Sequence, residues 1–89
     1  MEQIVGCDIE MEFHEVNAKT EADVRLRLHD GTQVKAHGAA NRHPDDPAQQ
    51  RVGEEIAAAR ALNDLSQQLL EKAGGDIEEV THLHTHLSG

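Results

Sequence analysis

The feature that most constrains this chain is a change of period part-way along it. Residues 5 to 13 alternate, with Val5, Cys7, Ile9, Met11 and Phe13 on one side and Asp8, Glu10 and Glu12 on the other. That is the pattern of a strand with one buried face. Residues 22 to 28 repeat it, with Ala22, Val24, Leu26 and Leu28 inward and Asp23, Arg25 and Arg27 outward. Residues 32 to 40 follow it more weakly through Val34, Ala36, Gly38 and Ala40. Beyond the polar connection "NRHPDDPAQQ", the spacing becomes three-and-four: Val52, Ile56, Ala59, Leu62, Leu65, Leu69 and Ala73 fall on one stripe of a helix. Asp46 followed by Pro47 has the form of an N-cap with proline at the first helical position. Gly74 and Gly75 predict the end of this helix, with Asp76 capping a short second one from Ile77 to about His82.

Register follows from parity, because directly paired residues share a face. A two-residue Asp30-Gly31 loop would set inward Leu28 against outward Gln33. A three-residue His29-Asp30-Gly31 loop, with Gly31 left-handed, instead pairs Leu28 with Thr32, Leu26 with Val34 and Val24 with Ala36. For the first hairpin, a four-residue loop from Asn17 to Thr20 predicts Phe13 opposite Val24 and Met11 opposite Leu26, with Glu12 facing Arg25 and Glu10 facing Arg27. The fold class expected is α+β: a three-stranded antiparallel meander packed on one long C-terminal helix, followed by a short helix. Residues 1–82 form the single domain, and residues 83–89 read as a flexible tail containing histidines.

At 89 residues the chain has room for one core close to the lower limit of self-sufficiency, so a homodimer is the natural supplement. The third strand, "VKAHGAA", is the weakly guarded edge at which another copy could pair. Seventeen acidic residues against eight basic ones give a formal charge of −9, which opposes binding to nucleic acid and to anionic membranes. The N-terminus has neither a basic leader region nor a continuous apolar run, so a cytoplasmic location is expected. A single cysteine, Cys7, permits no intramolecular disulfide and agrees with a reducing compartment.

Through "LHDGT", "HGAANRHPDDP", "VGEEIAAARALNDL" and "DIEEVTH", taken in that order, the chain resembles a family of small actinobacterial proteins of unknown function. The resemblance covers roughly residues 5 to 82. It implies a fold like that of the double-stranded-RNA-binding domain (dsRBD-like) without its first helix, and it implies no catalytic residues. RNA binding by fold analogy meets contrary electrostatics here. Such a domain needs basic residues near the start of the long helix, and "HPDDPAQQRVGEE" offers one arginine against four carboxylates. Phe13 is the only aromatic residue and faces inward, so base stacking has no platform.

Catalytic chemistry finds little support. Cys7 and His14 lie an odd number of residues apart on one strand and so face opposite ways, and Cys7 reads as a small buried apolar residue. Asp8, Glu10, Glu12, Arg25, Arg27, Lys35 and His37 share the outer sheet face, acidic on one strand and basic on the next two, as in a solvated, ion-paired surface. The one candidate metal site is "HLHTH", with His82, His84 and His86. Residues two apart share a side only in an extended backbone, and even there His82 and His86 would be about 13 Å apart. The reading that follows is a small non-enzymatic domain without a cofactor, acting as a homodimeric protein-interaction module. Weak metal or small-ligand binding by the C-terminal histidines is the alternative, and nucleic-acid binding by fold analogy comes third.

Overall fold

The structure, a computed structural model, describes the backbone of residues 1–41 and 47–88 and the side chains of residues 1–41 and 50–78. Three strands, β1 (Asp8–Val16), β2 (Lys19–Arg27) and β3 (Gln33–Asn41), form an antiparallel sheet in the order β1-β2-β3, and one helix follows, α1 (Pro47–Ser88). The α+β architecture is therefore the one the period change implies. The helix opens on Pro47, whose fixed φ suits the first turn; Asp46, its expected cap, lies outside the described residues.

The β2–β3 hairpin has the register that parity required, with Leu26 opposite Val34 and Val24 opposite Ala36. Its loop closes through two backbone bonds, Leu28 N–H to Thr32 O at 2.8 Å and Gly31 N–H to Leu28 O at 2.9 Å. Gly31 sits at φ 91°, where a Cβ would be strained. The Thr32 N–H also donates to Asp30 Oδ1 at 2.9 Å. That backbone bond, assisted by the Thr32 hydroxyl, holds the Asp30 carboxyl below its ordinary value.

The β1–β2 hairpin differs from expectation. Its loop is the two residues Asn17-Ala18, so Met11 faces Val24 and Phe13 faces Ala22, two residues from the predicted register. Asn17 takes φ 59°, and Ala18 does not go positive. Asparagine tolerates the left-handed region, and the shorter loop gains two further ladder pairs, Glu15 with Thr20 and Val16 with Lys19. Because the shift is even, every side chain keeps its face.

The core is narrow and made largely of alanine. From the sheet come Ala22, Val24, Leu26, Val34, Ala36 and Ala40, and from the helix Ala57, Ala61 and Leu65, with Met11, Leu28 and Leu69 packed at its margin. The helix thus seats a different stripe from the one predicted. Leu65 and Leu69 do face the sheet, but Val52, Ile56, Ala59, Leu62 and Ala73 are exposed. The cause is Gly38 on β3. A Cβ there would overlap the backbone of Ala57 and Ala61 and lie 2.8 Å from the carbonyl carbon of Arg60. Backbone that close to a strand admits alanines and excludes Val52, Ile56 or Leu62.

Seated on β2 and β3, the helix leaves β1 uncovered on the same face of the sheet. Ile9 is 57% exposed and Phe13 42%, although both pair with buried residues of β2. Cys7 and Val5 precede the strand and are exposed, which corrects the expectation that both are inward. Arg27, the last residue of β2, pairs with Asp8, so the β1–β2 ladder ends there and neither Val5 nor Cys7 has a ladder partner.

The helix also runs through Gly74-Gly75, so the predicted stop and the separate short helix do not occur. Neither glycine adopts the positive φ of a C-cap. Each costs roughly 1 kcal/mol of helix propensity against alanine. The Lys72–Asp76 ion pair, 2.8 Å across one turn, spans the two glycines. The helical backbone continues to Ser88, through residues expected to form the tail.

Candidate functional site

The outer face of the sheet carries the densest set of ionisable groups among the described residues. Alternation aims Glu10, Glu12 and His14 of β1, Glu21, Asp23 and Arg25 of β2, and Lys35 and His37 of β3 away from the helix. The two-residue loop sets Glu10 opposite Arg25, and the two form an ion pair. It also sets Glu12 opposite Asp23, two like charges. Histidines stand on either side of that carboxylate: His37 Nδ1 lies 2.8 Å from Asp23 Oδ1, and His14 Nε2 lies 3.6 Å from Asp23 Oδ2 and 3.8 Å from Glu12. Lys19 approaches Glu21 at 3.5 Å. A shallow depression of 230 Å³ between Glu10, Asp23, Arg25 and Lys35 is open to solvent.

These groups engage one another across strands, and each is too exposed for a large contribution to stability. They offer a charge-matched surface. A nucleophile with an adjacent base and an orienting third group does not occur among them. Cys7 is exposed just before β1 and lines a depression shared with Glu10, Arg25 and Arg27.

The helix also bonds to the free edge of β3, a contact that nothing in the strand's own sequence marks. His37 N–H donates to Asp64 Oδ2 at 3.1 Å, and Arg60 Nη1 donates to Ala39 O at 2.7 Å. Gln68 Nε2 holds the same Asp64 oxygen at 3.1 Å. Two outward backbone groups in the middle of β3, His37 N–H and Ala39 O, are thus occupied, which guards part of the edge expected to pair with another copy. Arg60 and Asp64 reach it because they stand one turn apart beside the Ala57–Ala61 stripe.

His82, His84 and His86 lie on helical backbone, so the extended chain that would set residues two apart on one side is not present there. Their side chains lie outside the described residues. No cluster of three or more histidine, cysteine or acidic side chains suited to a metal ion occurs among the described residues. No described helix is long and apolar enough to cross a membrane.

The class defined by this fold is a two-layer α+β domain in which a three-stranded meander carries one long helix across two of its strands. The sequence profile of the Rv2632c-like family matches residues 5–86, and the chain belongs to that family. It is 38% identical over 76 residues to the uncharacterised protein Rv2632c of Mycobacterium tuberculosis (strain ATCC 25618 / H37Rv), covering 85% of this chain and 81% of the relative. The uncharacterised protein Mb1767 of Mycobacterium bovis is 39% identical over 75 residues, covering 84% of this chain and 77% of the relative. The crystal structure of Rv2632c superimposes with a TM-score of 0.79 at 38% identity, covering 91% of this chain and 95% of that one. The actinobacterial resemblance read from the sequence is thus met by mycobacterial relatives of unknown function.

Proposed function

We propose that the protein is a cytoplasmic, non-enzymatic protein-interaction module that works as a homodimer. One observation carries this reading: among the described residues, most of the large apolar side chains lie outside the sheet–helix interface. Ile9 and Phe13 on β1 and Val52, Ile56, Leu62, Leu70 and Ile77 on α1 are all at least 40% exposed, whereas Val24, Leu26, Val34 and Leu65 are the only large aliphatic residues in the described core. Apolar area left in water on that scale favours association. The charge-paired outer sheet face favours solvent or a polar partner and offers no apolar pocket for a small molecule.

The order of three strands then a helix is what a dsRBD-like fold would retain without its first helix, which supports that lineage. A nucleic-acid partner is disfavoured by the charge of −9 and by carboxylates on the sheet that outnumber its lysines and arginines. Sedimentation equilibrium at micromolar concentration tests the proposal, with a species of twice 9.8 kDa expected. A single 9.8 kDa species throughout that range would contradict it.

A further inference from the structure

The outward stripe of α1 has its own period. Ile56, Asn63, Leu70 and Ile77 stand seven residues apart, and between them Val52, Ala59, Ser66 and Ala73 do the same. All eight are exposed. Successive steps along the stripe are four, three, four, three, which is a heptad with core positions a and d filled by these two sets. The sheet-facing residues Ala57, Ala61, Leu65 and Leu69 are instead spaced by four. At 3.6 residues per turn, Val52 and Ala61 are about half a turn apart, so the two stripes start on opposite faces; they draw together towards Leu69, which stands one turn before Ala73.

We propose that this stripe is a coiled-coil seam that pairs in parallel with the same stripe of a second copy, giving a sheet–helix–helix–sheet sandwich. The proposal rests on the homodimer reading above and specifies its surface. A repeat of 3.5 residues stays on one line only if the helix supercoils around another helix, so the spacing itself selects a helical partner. From Val52 to Ile77 the seam is roughly 37 Å long at about 1.5 Å per residue, more than three heptads. Asn63 identifies which helix. An amide at an a position both donates and accepts, so it matches its own copy across a two-fold axis and is left unmatched by an apolar surface.

Flanking charges set the direction. In the heptad frame Glu55 is at g and Arg60 at the following e, the two positions that meet across a parallel pair. Each copy would therefore place Glu55 beside the other's Arg60, twice by symmetry; Arg60 donates to its own Ala39 O through Nη1, so the pair would use the remaining N–H groups of that guanidinium. An antiparallel pair centred between Asn63 and Ser66 would bring Glu55 towards Asp76, two like charges. Alanine and serine at the d positions let the two axes approach closely.

The test uses the full chain in two experiments. In sedimentation equilibrium, the Leu70→Glu/Ile77→Glu variant should dissociate at least about 100-fold more readily than the unsubstituted protein, since each copy would bury two unpaired carboxylates. Both positions are well exposed in the protomer, at 70% and 65%, so its circular dichroism should keep the sheet signal. In a Cys7→Ser background, Ser66→Cys should form an intermolecular disulfide on mild oxidation, and Glu71→Cys, outside the seam, should not. A dimer that survives the double substitution, with no Ser66→Cys cross-link, would overturn the seam and leave the homodimer reading standing. Dissociation of the double variant without that cross-link would overturn the parallel alignment. If the unsubstituted chain is monomeric, the homodimer reading fails and the seam fails with it.

Discussion

On α1, the face turned to the sheet is built from Ala57, Ala61 and Leu65, whereas the face turned away carries Val52, Ile56, Leu70 and Ile77. By hydrophobicity alone the second face is the stronger candidate for the core. It is excluded because β3 presents Gly38 where the helix crosses, and the backbones approach too closely for a branched side chain. Steric fit therefore decides which face is seated. The larger apolar face is left in solvent in the protomer.

That comparison can be broken at the point of closest approach. Gly38→Ala should be the most damaging small substitution in the sheet. Its Cβ meets helix backbone, which cannot give way by a rotamer change, so a loss of about 3 kcal/mol is expected in chemical denaturation. A loss under about 0.5 kcal/mol would mean that the helix does not rest on β3 as described.

A smaller effect sharpens the same contact. Arg60→Ala removes the donor to Ala39 O and opens the edge of β3, at an expected cost of about 1 kcal/mol together with more light scattering on storage. Unchanged scattering and stability would show that the edge needs no guard.

How far these features were legible in the sequence differs between regions for physical reasons. The β2–β3 hairpin was readable because "LHDGT" contains a glycine that can go left-handed, and parity left one register. The β1–β2 loop was not, because Asn17-Ala18 lacks the glycine that usually marks a two-residue turn. The seated face of α1 is not legible on a helical wheel, which weighs apolar size, while the deciding residue, Gly38, lies on a different element and looks only like a weak strand position. Gly74-Gly75 has the letters of a stop, but a glycine C-cap needs a positive φ, a property of conformation that the letters do not carry. Of the candidate site, the outer charged face followed from alternation alone. The closure of the β3 edge by Arg60 and Asp64 could be seen only once the seated face was known.

On the homodimer proposal, one face of α1 holds the protomer together while the other serves association. Truncating one leucine on each face to alanine, and following urea denaturation at several protein concentrations, tests it most directly. Leu65→Ala should lose about 3 kcal/mol at every concentration, because Leu65 is buried against the sheet. Leu70→Ala should change stability by less than about 0.5 kcal/mol in dilute protein and should lose more as concentration rises and association contributes. A loss at Leu70 that is large and independent of concentration, with little effect at Leu65, would contradict the account.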